Sequence, residues 1–255
     1  MPKMSPETAQ KLIELNRVFY EDNAKSFSST RYAIQPGVQL LMPKMLLAKS
    51  ILDLGCGNGN LALALHNLGF TGNYLGVDNS LGLIDHALAT LPTATENNAP
   101  YRFLALDLGQ TPWQLPKNGQ KFDLVVSYAT LHHIPGLSLQ MQFFNNIKEL
   151  LEDSGKLIIS CWQPLNSPRL AARVQDWSIV DIEPNELSEG DLLLDWRADD
   201  SPDKQRLRYV HQFSPEKLEQ LGNQAGLRLQ ESFFSDGKEG RLGFYQIWQK
   251  PAEVC

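Results

Sequence analysis

Cysteine is scarce in this chain. The three present, Cys56, Cys161 and Cys255, form no C-x-x-C pair. That argues against a zinc site and a disulfide framework, so no metal is expected and a reducing, cytoplasmic setting is the expectation. No apolar run approaches the ~18 residues of a membrane span. Met1 to Gln10 lacks the apolar core of a signal peptide, so no membrane partner is expected. Positive charge is in short supply: 23 Lys and Arg stand against 29 Asp and Glu, a net charge of −6. A surface that binds nucleic acid all over is therefore excluded, while a local basic patch is not. Internal repeats and low-complexity tracts are also missing. What remains is ordinary globular composition, 42% hydrophobic and 20% charged over 255 residues, enough for one large domain or one with an insertion.

The stretch that organises the chain is Ser50-Ile51-Leu52-Asp53-Leu54-Gly55-Cys56-Gly57-Asn58-Gly59-Asn60. Apolar residues lead into Asp53, glycine follows at every second position, and Leu61, Leu63, Leu65 and Leu68 recur beyond. This reads as a buried strand, a tight glycine turn and a packed helix whose first amides point back at the turn. The spacing is not the G-x-G-x-x-G of a dinucleotide loop, and no Lys-Ser/Thr follows as in a P-loop. Asp53 would repel a phosphate and attract an ammonium or sulfonium. S-adenosylmethionine (SAM) fits, and D-x-G-x-G-x-G resembles the first motif of class I SAM-dependent methyltransferases. A flavin or nicotinamide loop, or a glycine turn without a ligand, stays open on the motif alone.

Strand and helix signals alternate after it. Asn73 to Val77 runs into Asp78, and Ser80 is placed to cap a helix to Leu91. Tyr101 to Leu106 ends at Asp107. Leu124 to Ser127 follows Lys121-Phe122-Asp123. Ser138 to Leu151 reads as a helix, Asp153-Ser154-Gly155 as a turn and Lys156 to Cys161 as the fifth strand. Such alternation predicts a doubly wound parallel α/β sheet, with ligands outside the C-terminal strand ends, where Asp53, Asp78, Asp107 and Ser127 all fall. A carboxylate at the second strand end can accept from both ribose hydroxyls. Leu227 to Phe234 and Leu242 to Trp248, around Asp236-Gly237, read as a closing hairpin.

Four segments result. Residues 1–49 form a relatively basic N-terminal helical arm, with seven Lys and Arg against four acids, that closes over the core. Its first helix starts at Ser5-Pro6-Glu7 and shows Leu12, Ile13 and Phe19 on one face; a polar stretch, Asn23 to Arg31, follows, then a short helix from Gln35-Pro36-Gly37. Residues 50–162 are the ligand-binding core. Residues 163–212 break the rhythm with prolines and short apolar pieces and read as an irregular insertion, a substrate lid. Residues 213–255 supply the last helix, begun at Ser214-Pro215-Glu216, and the hairpin.

The three strand-end carboxylates and the hairpin carry the resemblance further, to the Rossmann-like class I fold: a seven-stranded, mostly parallel sheet with an antiparallel C-terminal hairpin. It implies SAM as cofactor and S-adenosylhomocysteine as product. The implied cofactor residues are Asp53, Gly55, Cys56, Gly57 and Gly59 in the loop, Asp78 and Asn79 at the ribose, Asp107 and Leu108 at the adenine, and Ser127 and Tyr128 under the methionine end. Leu131-His132-His133-Ile134 resembles the paired histidines found after this strand; His132 lines the site or accepts a proton. Phe27-Ser28-Ser29-Thr30-Arg31-Tyr32, Cys161-Trp162 and Arg208-Tyr209-Val210-His211-Gln212-Phe213 resemble segments of the tRNA wobble-uridine carboxymethyl methyltransferases. By that resemblance the acceptor is a carboxymethyl-uridine of a tRNA anticodon loop, and Arg31 and Arg208 hold its carboxylate or a phosphate, since a guanidinium forks onto either. Tyr32, Tyr209 and His211 then shape the pocket. An ordinary surface ion pair is the alternative for each arginine. The eukaryotic members work with a small zinc-binding activator subunit, which makes such a subunit a candidate partner. Residues 163–205 are acid-rich, the wrong sign for an RNA cradle. A small-molecule O- or N-methyltransferase and a non-catalytic SAM-binding subunit are the competing readings.

Overall fold

Ile51, Leu52 and Leu54 are fully buried, which requires cover on both faces of the strand they form. The computed structural model describes residues 4–29, 33–91, 100–110, 113, 115, 119–196 and 206–252, with 24–29 as helix backbone. In it, β1 (Ser50–Leu54) sits inside a seven-stranded sheet with β2 (Asn73–Asp78), β3 (Tyr101–Ala105), β4 (Phe122–Tyr128), β5 (Leu151–Trp162), β9 (Arg228–Ser235) and β10 (Gly243–Gln249). The order is β3-β2-β1-β4-β5-β10-β9. Pairings from β3 through β5 are parallel, and β10 runs antiparallel to both β5 and β9. The predicted sheet and its closing hairpin are therefore present.

One face is covered by α2 (Pro36–Met45), α3 (Asn60–Asn67) and α4 (Leu81–Thr90), through Val38, Leu41, Leu65, Ile84 and Ala87. The other is covered by α5 (Leu137–Leu150) and α7 (Pro215–Gln224), through Phe143, Phe144, Leu218 and Leu221. The helix starts read from the sequence hold in detail: Ser80 Oγ accepts from Leu83 N, and Ser214 Oγ accepts from Lys217 N at 3.2 Å. The expected turn at Asp153-Ser154-Gly155 is a bulge inside β5, with Ser154 at φ +64° and the register against β4 shifted there.

Two expectations change. Helix α1 (Pro6–Ser29) runs through most of the stretch read as polar. Residues 163–212, expected to be irregular, contain a second sheet of three antiparallel strands, β6 (Val174–Gln175), β7 (Asp191–Asp195) and β8 (Leu207–His211), after the single turn α6 (Pro168–Ala171). Its apolar pieces were too short and too interrupted by proline to show strand periodicity. Helix α1 packs on this sheet, burying Leu12 with Ile182 and Tyr209. Asn16 acts there as a surrogate backbone unit: its Oδ1 accepts from Tyr209 N at 2.8 Å and its Nδ2 donates to Tyr209 O at 3.1 Å. Glu186 takes the hydroxyls of Ser5 and Thr8, and Lys11 donates to the Asp181 carbonyl. Among the described residues no helix is long and apolar enough to cross a membrane.

Gly222 lies where α7 crosses Trp248, and a Cβ there would overlap the buried indole. Overpacking costs about 1–3 kcal/mol, against a helix-propensity gain of about 1 kcal/mol. Gly222→Ala is therefore expected to lower stability, read as an earlier urea midpoint with an unchanged m-value.

Candidate active site

From β1 the chain proceeds outward to β2 and β3, then returns to β4 on the other side of β1. The connections diverge at that point and leave a crevice at the C-terminal ends of β1 and β4. A cavity of about 660 Å³ occupies it. Its walls include Asp53, Gly55, Cys56 and Gly57 from the glycine turn, Asp78 and Asn79, Asp107 and Leu108, and Tyr128. His132 and Arg208 line the same space.

The glycines divide the work. Gly57, at φ +55°, faces the cavity, and no atom lies within 4 Å of where a Cβ would be. Gly55 is needed for packing, because a Cβ would overlap Thr130. Gly59 does not line the cavity; it lets α3 start close to α4, where a Cβ would sit 2.8 Å from that of Ala87. Its expected ligand role gives way to helix packing.

The carboxylates are not bare charges. Asp78 accepts from Gly57 N at 2.9 Å and Ser80 N at 3.0 Å, which joins the β2 end to the glycine turn. Asp107 caps its own turn through Gly109 N at 2.8 Å while lining the wall. Asp53 is 3% exposed and takes the Tyr74 hydroxyl. Burial pushes its carboxyl up to about 7, the Tyr74 hydrogen bond lowers it, and the Asp78 charge raises it. Asp53 is thus a carboxyl whose ionisation burial opposes, where the motif alone suggests a standing negative charge.

Other expected site residues lie elsewhere. Ser127 is fully buried and does not line the cavity, and its hydroxyl has no hydrogen-bond partner. Tyr209 and His211 point away, into a buried cluster in which both bond to Asp191 Oδ1, at 2.8 and 2.6 Å, and His211 Nε2 meets Lys217 Nζ at 2.9 Å. Alternation along β8 decides this: Arg208 faces the cavity, so its neighbour Tyr209 cannot. Arg31 and Tyr32 lie outside the described residues.

The structure adds residues the sequence reading missed. Ile13, Asn16 and Tyr20 of α1 line the cavity, as do Arg169 and Arg173, Asp195 and Trp196, and Asp236 with Tyr245. The spacing of Ile13, Asn16 and Tyr20 is that of one helix face, a usable signal; nothing in the sequence said which face met the cavity. Ala129, after β4, is held at φ +53° with its N–H on Ser160 O and Oγ, both at 3.1 Å. A non-glycine residue held there is the kind of strain that gathers at functional sites.

A methyltransferase domain model matches residues 27–232. The chain belongs to the methyltransferase domain family. Among relatives of this domain is the tRNA (carboxymethyluridine(34)-5-O)-methyltransferase of Saccharomyces cerevisiae, 27% identical over 158 residues, 61% of this chain. The match spans 50% of that enzyme's length. Similar solved structures include a SAM-dependent methyltransferase from Methanosarcina mazei, at TM-score 0.63 and 19% identity, covering 86% of this chain and 99% of that one. Another is from a complex between the Haloferax volcanii Trm112 methyltransferase activator and a putative methyltransferase, at TM-score 0.60 and 14% identity, covering 94% and 99%. At these identities the structures establish the fold.

The methyltransferase domain is SAM-dependent, and its cavity suits that cofactor: three carboxylates at successive strand ends, an open glycine edge, and no phosphate-binding lysine in the loop. SAM supplies a methyl group on a sulfonium sulfur. Asp78 and Asn79, expected at its ribose, Asp107 and Leu108, expected at its base, and Asp53 and Gly57 of the first motif all line this one cavity.

Because a cation favours the ionised form of Asp53, SAM affinity should rise with pH through about 7, and Asp53→Asn should abolish the rise; calorimetry between pH 6 and 8 tests both. Without ligand the sign reverses. A folded pKa above the unfolded value gives stability that is present at low pH and lost as pH climbs to about 7. Gly57→Val should fold with a loss of about 1–2 kcal/mol for its left-handed backbone, yet lose SAM binding. Normal binding by that variant would move the loop away from the ligand.

Proposed function

We propose that this domain transfers the methyl group of SAM to a carboxylate oxygen, that of a carboxymethyl group on a tRNA wobble uridine. The observation that carries this reading is Arg208. Its side chain is 6% exposed on the cavity wall, its guanidinium lies 5.2 Å from the Phe19 ring and 4.7 Å from the Trp162 ring, and its buried Nε has no hydrogen-bond partner. No ion pair neutralises it among the described residues. A buried charge without a counter-ion is costly, and an anionic acceptor relieves that cost.

The charge of the insertion points the same way. Its excess of acids argued against RNA, but Glu186 faces α1 and Asp191 is sealed in the His211 cluster. The charged insertion residues that line the cavity are three arginines, Arg169, Arg173 and Arg208, against one acid, Asp195, among the described residues. The cavity is acidic where a cationic cofactor belongs and carries arginines where an anionic acceptor would enter. The name of the yeast relative supplies the particular carboxylate. The Trm112 activator present in the Haloferax complex makes a small activator subunit a sensible addition to the assay.

A carboxylate acceptor, with a pKa near ~4, is already ionised at neutral pH. No general base is required. The chain has to hold one oxygen in line with the transferred methyl and exclude water, tasks that fall to Arg208 and to the cover formed by α1 and the small sheet.

Single-turnover transfer from labelled SAM into tRNA, with and without the activator, is the test. Ester label on carboxymethyl-uridine, released by mild alkali, is expected. Alkali-stable label would end the carboxylate reading, and ester label confined to small acids would remove tRNA. Arg208→Ala should slow transfer by about ten- to a hundredfold, the value of one charged hydrogen bond, with SAM affinity nearly unchanged.

A further inference from the structure

The adjacent histidines at the cavity are fixed in opposite tautomers by backbone groups. His132 Nδ1 accepts the backbone N–H of Trp162 at 3.2 Å. A neutral imidazole whose Nδ1 accepts must carry its proton on Nε2. Protonating Nδ1 as well would set one N–H against another at a residue only 2% exposed, so this contact opposes a second proton. His133 is the reverse. Its Nδ1 lies 3.0 Å from the Tyr209 carbonyl, which can only accept, so this nitrogen bears the proton. Its Nε2 is then the acceptor for the Tyr20 hydroxyl at 2.7 Å. The Asn16 amide, oriented by Tyr209 N, braces the same carbonyl.

Trp162 links His132 to Arg208. Its backbone N–H sets the His132 tautomer, its ring lies 6.2 Å from the His132 ring, and its other neighbour is the Arg208 guanidinium. All three residues line the cavity.

We infer that His132 is a hydrogen-bond donor to the methyl acceptor, its Nε2–H joining Arg208 on the acceptor's anionic oxygen, and that it is not a base. A base at this position would need a lone pair on Nε2, which the Trp162 amide denies it. His133 is a positioning residue for Tyr20. The inference rests on the anionic acceptor proposed above. No proton changes hands: the carboxylate oxygen forms the new bond to carbon, the carbon–sulfur bond breaks, and the sulfur keeps the electron pair as the neutral thioether.

Three measurements test it. Glutamine places an amide N–H near the position of Nε2 but has no imidazole to titrate. His132→Gln is therefore expected to keep single-turnover transfer within about threefold of wild type, and His132→Ala to lose about ten- to a hundredfold, with SAM affinity preserved in both. The wild-type rate at saturating SAM should be flat from about pH 6 to 8, where a histidine base would titrate. Nitrogen NMR of the labelled protein should find His132 as the neutral Nε2–H tautomer. A glutamine variant as slow as the alanine one, a rate that climbs through a single ionisation, or an Nδ1–H tautomer would overturn the inference. If ester is still formed and Arg208→Ala still slows it, such a result removes the role of His132 alone; alkali-stable label removes the carboxylate reading itself.

Discussion

Between β1 and β4 the chain leaves the sheet in opposite directions, and the rest of the molecule depends on the gap this creates. A parallel sheet buried on both faces has no room for a ligand along its strands. Only at the C-terminal ends, where neighbouring connections part, can backbone amides and side chains converge on a shared space. The glycine turn after β1 exists to keep that space open, with Gly57 on the cavity and Gly55 and Gly59 against Thr130 and α4. Asp78 then fastens the turn to the next strand through the Gly57 amide.

Charge is divided across the cavity, and desolvation makes the division matter. Asp53, Asp78 and Asp107 hold one end, and burial raises the pKa of both Asp53 and Asp78. Proton uptake is how buried like charges escape mutual repulsion when no cation is near. At the other end, no carboxylate pairs with Arg208 among the described residues. Two aromatic faces shelter it instead. The acidic end can therefore relax without its ligand, while the guanidinium stays packed between two rings.

The cover over this cavity is a joint product of two distant segments. Helix α1 and the sheet β6-β7-β8 are held together by Asn16, Glu186 and the Leu12–Tyr209 contact. Of the acids that looked like an obstacle to an anionic substrate, Glu186 belongs to this joint and Asp191 to the cluster with His211 and Lys217, while Asp195 lines the cavity. Linear composition records how many charges a segment has. It does not record which face they occupy, and along a strand adjacent residues face opposite ways. That is why Arg208 and Tyr209, read together from one motif, separate into a cavity residue and a core residue.

The sequence by itself determined the parallel core, the glycine turn, the strand-end acids, the caps at Ser80 and Ser214 and the closing hairpin. Each is a local pattern: a period, a turn chemistry or a residue placed at the end of an apolar run. Tertiary structure alone decided what those groups become. Burial raises the pKa of Asp53, against the opposing Tyr74 hydrogen bond, and only folding supplies either neighbourhood. His132 became a donor because an amide 30 positions away in sequence occupies its Nδ1. The insertion became a sheet because α1 supplied the apolar face its short strands lacked. Protonation states, tautomers and the direction a side chain faces all depend on neighbours brought together only by folding, and no local pattern encodes them.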